Sequence, residues 1–358
     1  MRDSEHTETV CAEVRSGVGI LTLNRPAALN ALTLDMVRFL ALTLDQWAVD
    51  DAVKSIIIRG AGEKAFCAGG DIRAICESFI AGNEEYLDFF FEEYRLDLKI
   101  HRYPKTTIAL LNGFVMGGGM GLGQGCQIRI VTESSKLAMP EVGIGYFPDV
   151  GGSYFLSRLP GALGLYLGLT GVQVKAGDAI YCGLADLYIP DMDADVLIAS
   201  VADLPAGSQT TLHGALDALT KNPPESTLKR LRPAIDLHFS KEGIPEILDS
   251  LRAECRTEFR DWAEQTISIM DARSPIAMSV TYEQLRRGSR MSLEECLEME
   301  FRMDQEWLPR GDLLEGVRAL IVDKDKQPRW TPQTLAEVTV ESVRSFFEAH
   351  PCHRRLGL

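Results

Sequence analysis

The chain has 358 residues, 46% of them hydrophobic and 25% charged, which suits a folded protein with one large domain and a smaller companion. A formal net charge of -14 argues against a nucleic-acid surface, which needs clustered Lys and Arg to displace phosphate counterions. No apolar run approaches the ~20 residues that span a bilayer, so neither nucleic acid nor membrane is an expected partner.

At the start, MRDSEHTETVC holds no apolar core of the kind a secretory signal needs. Residues 12–24 (AEVRSGVGILTLN) read as a strand, being β-branched and bounded by turn residues. LTLDMVRFLALTLDQWAVDD then places apolar side chains at helical spacing, and KSIIIRG (54–60) is a second strand. TTIALLNGFV (106–115) reads as another strand running into GGGMGLGQG, and QIRIVTESS (127–135) as one more. Strands alternating with helices predict an α/β body with parallel pairing.

Beyond about residue 205 the pattern turns helical. Ser274-Pro275 looks like a helix start, and SLEECLEMEFRMDQEW opens with a capping box, Ser292 and Glu295. The expected division is an α/β core over 1–205 and a helical region over 206–358.

The eight cysteines (11, 67, 76, 126, 182, 255, 296 and 352) are scattered with no CxxC pair, which predicts a reducing compartment: the cytoplasm, or the mitochondrial matrix for a processed eukaryotic protein. The six histidines never fall into HxxxH or HExxH spacing, so no metal is expected.

Two segments share one design. KSIIIRGAGEKAFCAGGDIRAI is a strand, a glycine turn and a helix starting near Asp71; TTIALLNGFVMGGGMGLGQG repeats that order. At such junctions the first helical N–H groups lack intrahelical partners and the dipole adds positive potential. Two of them converging would form an oxyanion hole. Neither segment fits GxGxxG or GxxxxGK[ST], and GxSxG is absent, which weakens nucleotide and serine-hydrolase readings. Cys67 has no evident histidine partner and reads as a loop filler. PEVGIGYFPDVGGS (140–153) sets Glu141 and Asp149 among glycine, proline and large apolar residues, where carboxylates are poorly solvated. Paired acids also suit glycoside hydrolysis, but aromatics for sugar platforms make up only 8% of the chain.

Together, NRPAALNAL (24–32), KAFCAGGDI (64–72), NGFVMGGGMGL (112–122) and AMPEVGIGYFPDVGGSYFLSRLPG (138–161) resemble the enoyl-CoA hydratase/isomerase, or crotonase, family. The segments 164–190 and 308–330 fit as well, so the resemblance covers nearly the whole chain. It implies an α/β crotonase (ClpP/crotonase-like) fold of repeated ββα units with a mainly helical C-terminal region. It assigns oxyanion-hole amides to Gly70 and Gly118, and coenzyme A contacts to Ala28, Leu29, Ala68 and Ile72; Arg73 could meet a CoA phosphate.

Hydratases of the family carry one glutamate at the position of Glu141 and another where this chain has Gly121, and they have a small residue where Asp149 stands. The exchange resembles the thioester-hydrolysing members, as does Glu93 in EEY (92–94), which matches a substrate-pocket residue. The expectation is hydrolysis of an acyl-CoA, best 3-hydroxyisobutyryl-CoA from valine breakdown and second 3-hydroxypropionyl-CoA. Glu141 would be nucleophile or general base, with Asp149 on the 3-hydroxyl or the proton. No cofactor is implied beyond the coenzyme A of the substrate, and a trimer-based homo-oligomer is the family habit. The alternatives are enoyl-CoA hydration or isomerisation, and a non-catalytic structural or RNA-associated relative.

Overall fold

The computed structural model describes residues 9–190, 194–202, 214 and 216–358. The segment read as one strand over 12–24 is a hairpin. Val10–Arg15 (β1) and Val18–Leu23 (β2) pair antiparallel, reversing at Ser16 and Gly17, whose φ values are +49° and +80°. A two-residue turn with both φ values positive matches the twist of the strands it joins. Leu34–Val49 (α1) follows, with the Thr33 side chain accepting the Met36 N–H.

From there a unit repeats: one strand in a large sheet, a short strand in a small sheet, then a helix. Ser55–Gly60 (β3) and Ala65–Cys67 (β4) lead into Ile72–Ala81 (α2) and Glu85–His101 (α3). Thr106–Leu111 (β5) and Phe114–Met116 (β6) lead into Gly118–Gly125 (α4). Ile128–Val131 (β7) and Lys136–Ala138 (β8) lead into the acidic loop and the short helix Gly152–Phe155 (α5). Leu163–Thr170 (α6), Val174–Lys175 (β9), Ala176–Cys182 (α7), Leu187–Tyr188 (β10) and Ala194–Ala202 (α8) complete this part.

The large sheet has the order β1-β2-β3-β5-β7-β10, parallel from β2 onward, and the small sheet the order β4-β6-β8-β9. Thus 106–115, read as one strand, belongs to two sheets. Gly113, at φ +61°, lies so close to Lys64 that any Cβ would collide with its backbone, and there the chain steps from one sheet to the other. Both faces of the large sheet are buried. Leu21, Ile56, Ile58 and Ala109 face the main core, while Ile20, Ile57, Ile108 and Ile130 pack with Leu197 and Val201 of α8.

Beyond Tyr188 no strand occurs among the described residues. The helices are Thr227–Phe239 (α9), Ile244–Arg252 (α10), Thr257–Asp271 (α11), Pro275–Gly288 (α12), Leu293–Arg310 (α13), Leu313–Val317 (α14) and Val340–Ser345 (α15). The expected starts are observed: Ser274 caps α12, and Ser292 with Glu295 forms a capping box on α13. Residues 205 and 206, where the two domains were expected to meet, lie outside the described residues. Phe301, Trp307 and Leu313 from the helical region share one hydrophobic cluster with Leu32, Phe66 and Tyr94 from the core.

Candidate active site

The small sheet sets the geometry. β4 and β6 lie side by side in parallel, and each runs into a glycine turn that opens a helix. In the first turn Gly69 has φ +108°, and the Asp71 side chain caps α2 by accepting the Ala74 N–H at 3.5 Å. In the second, Gly117 has φ +49° and precedes Gly118, the first residue of α4. The turns touch: a Cβ on Gly69 would lie 3.8 Å from the Gly118 nitrogen, and one on Gly117 would lie 3.4 Å from Gly69 Cα. At that first helical position the Gly118 N–H has no intrahelical acceptor and sits at the positive end of the dipole.

Gly70 and Gly118 both line a cavity of about 110 Å³, together with Ala68, Ile72, Glu93, Glu141 and Asp149. The structure therefore gathers seven of the nine expected site residues. Ala28 and Leu29 do not line it. Instead the segment 24–32 braces the first glycine turn: the Ala68 N–H donates to the Leu29 carbonyl at 3.0 Å, the Leu32 N–H to the Gly69 carbonyl at 2.8 Å, and the Asp71 N–H to the Leu32 carbonyl at 2.8 Å. Asn30, fully buried, fastens this brace by donating to the Ala65 carbonyl at 2.8 Å. Arg73 is exposed and pairs with Glu77 at 2.9 Å, on the surface of α2.

Glu141 opens a 3-10 turn, Glu141–Ile144, and is 6% exposed with Oε2 unpartnered. Its Oε1 stands 3.1 Å from where a Gly117 Cβ would be, so the carboxyl faces the second glycine turn. Asp149, also 6% exposed, accepts the Tyr94 hydroxyl at 2.9 Å. Glu93 of α3 is buried with Oε1 unpartnered, and any Cβ on Gly118 would collide with that oxygen. Three carboxyls thus meet the paired glycine turns inside one small cavity.

Three further buried acids stand behind these and were not singled out in the sequence: Asp97, Glu300 and Asp304. Asp97 lies one helical turn beyond Glu93 on α3 with both oxygens unpartnered. Asp304 accepts the Tyr146 hydroxyl, and Glu300 accepts the Gly151 and Ser153 N–H groups at 2.7 and 2.9 Å. A signal was available, because residues 300 and 304 lie four apart on the same stripe of α13 as Leu297, Phe301 and Trp307. An acid on the apolar face of an amphipathic helix is the anomaly to look for.

Burial is the leading cause that raises the pKa of all six carboxyls, and no basic side chain offsets it in any of them. For Glu141, burial and then the neighbouring Asp149 push the carboxyl well above its ordinary range. Asp149 is pushed up to about 7, with the Tyr94 hydroxyl holding it back, and Glu300 up to about 8 against its Ser153 and Gly151 donors. Carboxylates in such surroundings are strong bases and nucleophiles for their type. Cys67 takes no comparable part, since burial pushes its thiol up to about 12.

Gly121 is walled in. A Cβ there would lie 2.7 Å from Val150 Cβ and 2.8 Å from Asp97 Oδ2, so any side chain at this position would have to displace them. Among the described residues no group of three or more His, Cys, Asp or Glu side chains is arranged to hold a metal ion. A larger groove of about 920 Å³ lies on the helical region between Glu283, Arg290 and Arg302, and it contains none of the six buried carboxyls.

Residues 18–347 match the family model described as enoyl-CoA hydratase/isomerase. The mitochondrial 3-hydroxyisobutyryl-CoA hydrolase of Danio rerio is 42% identical over 98% of this chain and 92% of its own length. That of Homo sapiens is 39% identical over 98% and 92%. A solved structure named as a carnitinyl-CoA dehydratase, from Mycobacterium thermoresistibile, superposes with a TM-score of 0.88 at 42% identity, covering 97% of this chain and 98% of that one.

Proposed function

The chain belongs to the enoyl-CoA hydratase/isomerase family, and from that premise we propose that it is an acyl-CoA thioester hydrolase converting 3-hydroxyisobutyryl-CoA to 3-hydroxyisobutyrate and coenzyme A. The observation that carries the reading is the convergence of Gly70, Gly118, Glu141 and Asp149 on one cavity. The thioester oxygen sits between the Gly70 and Gly118 amides, where each donor contributes ~3 kcal/mol toward the negative charge that develops on it. Glu141 then attacks the carbonyl carbon to give an acyl anhydride that water opens, or takes the proton from an attacking water. By either route the C–S bond breaks and coenzyme A leaves as a thiol.

Asp149 and Glu93 recognise the acyl end through its 3-hydroxyl. The cavity is far below the roughly 300–1,000 Å³ of drug-sized sites, which suits a short acyl group and leaves the rest of coenzyme A outside. 3-Hydroxypropionyl-CoA, one methyl smaller, is the natural second substrate.

Two names of similar identity point different ways, a hydrolase among the relatives and a dehydratase among the solved structures. Local chemistry decides for the hydrolase. In the hydratases of the family the second carboxylate stands at the position of Gly121; this chain has no side chain there, and the carboxyl that lies against it, Asp97, does not line the acyl cavity. The compartment we propose is a reducing one: all eight cysteines are free thiols, and the two animal hydrolases are named as mitochondrial.

The test is to give the protein 3-hydroxyisobutyryl-CoA and crotonyl-CoA, following free thiol and loss of the enoyl absorbance. Thiol release from the first, with the enoyl absorbance of the second unchanged, is the expected result. Hydration of crotonyl-CoA with thiol at background would replace this reading by hydratase, and silence in both arms by a non-catalytic relative.

A further inference from the structure

Asp149 sits in a strained turn that the core holds only through the Tyr94 hydroxyl on its side chain, at 2.9 Å, with the Gly152 N–H on its carbonyl at 2.6 Å. Val150 has φ +50° and Gly151 φ +82°, and a left-handed β-branched residue is rare enough to need support from its surroundings. That support comes from the C-terminal helices. On one side of Asp149, the Pro148 carbonyl accepts the Gln284 side-chain amide of α12 at 2.6 Å. On the other, Glu300 of α13, with no exposed surface, accepts the Gly151 N–H on Oε2 at 2.7 Å and the Ser153 N–H on Oε1 at 2.9 Å. The Ser153 hydroxyl donates to the same Oε1, and the Gln284 amide approaches it at 3.5 Å. The two backbone partners can only donate, so each oxygen of Glu300 must accept, Oε2 from Gly151 and Oε1 from Ser153.

We propose that Glu300, with Gln284, is a positioning residue for the hydrolysis: it clamps the Val150–Gly151 turn so that Asp149 points into the acyl cavity. The proposal rests on the thioester-hydrolase reading for its kinetic consequence, but the clamp itself is a property of the fold. It makes the helical region part of the catalytic apparatus. α13 contributes no group to the cavity, yet it fixes one that does. In Glu300→Gln one acceptor becomes an N–H₂ group that faces a backbone N–H donor, so one end of the turn is released while side-chain volume is kept.

The experiment compares full-length wild type and Glu300→Gln by kcat and KM for 3-hydroxyisobutyryl-CoA, and by hydrogen-deuterium exchange of the peptide spanning 148–155. The expected result is a kcat lower by roughly 10²-fold, as for an ångström-scale misplacement, with KM within about threefold. Exchange in that peptide should rise roughly tenfold, as for a buried backbone donor left without its acceptor. Should Glu300→Gln fail to fold, Gln284→Met is the second variant, with a kcat about tenfold lower at similar KM. A folded Glu300→Gln protein with wild-type kcat and wild-type exchange overturns the clamp. If the wild type releases no thiol from acyl-CoA while Glu300→Gln still loosens 148–155, the function reading fails and the clamp stands.

Discussion

Replacing Glu141 by glutamine is expected to lower kcat for 3-hydroxyisobutyryl-CoA by ~10³-fold or more while KM moves by less than about threefold. Glutamine keeps the size and planarity of the side chain, and Glu141 has one oxygen without any partner, so no fold-supporting hydrogen bond is lost on that atom. What disappears is the basic lone pair facing the glycine turns. The Gly70 and Gly118 amides remain, and they still bind the thioester oxygen; for that reason the loss falls on kcat. Steady-state thiol release at saturating and limiting substrate separates the two constants. A variant with wild-type kcat would remove Glu141 from the mechanism altogether.

Asp149→Asn is expected to cost roughly 10²-fold in kcat and, at pH 8, to raise the melting temperature. The second half follows from linkage. The folded protein holds the Asp149 proton up to about pH 7, whereas an unfolded aspartate releases it near its ordinary value. Stability from this proton is therefore full below the unfolded pKa, declines as pH rises, and is lost once pH passes the folded pKa near 7. Asparagine does not ionise and escapes the loss, while its oxygen still accepts from the Tyr94 hydroxyl. The parent and variant melting curves should thus coincide near pH 4 and separate toward pH 8, with the inactive variant the more stable. Glu93, Asp97, Glu141 and Asp304 shift in the same direction, so the parent itself should melt lower at pH 8 than at pH 5.5. Melting by circular dichroism across that range checks both statements.

These buried acids also show what could and could not be read from the residues alone. The glycine turns were legible because the order strand, glycines, helix occurs twice, although glycines in either segment alone fit close helix packing, and Asp71 and Ser292 sit where helix caps must sit. Glu141 and Asp149 were legible because acids among glycine and apolar residues are out of place. The strand over 12–24 was misjudged because Ser16 and Gly17 look like tolerated small residues until their positive φ values turn the chain. The strand over 106–115 was misjudged because the Asn112-Gly113 step changes sheets, and that depends on contact with Lys64 some fifty residues earlier. Asp97, Glu300 and Asp304 escaped notice because an acid in a charged helix reads as solvated. The packing of α13 beneath the acidic loop makes Glu300 and Asp304 interior, and the packing of α3 on α4 does the same for Asp97. The segment of Ala28 and Leu29 carries a role that the residues alone did not show, since its backbone braces the first glycine turn.

The central claim is that two backbone amides, Gly70 and Gly118, polarise a thioester that Glu141 opens. It is tested most directly by the infrared carbonyl stretch of 3-hydroxyisobutyryl-CoA, carbon-13 labelled at the thioester and bound to the Glu141→Gln protein. Two aimed N–H donors and a helix dipole predict a stretch at lower frequency than for the same thioester in water. A bound stretch at or above the aqueous frequency would contradict the account.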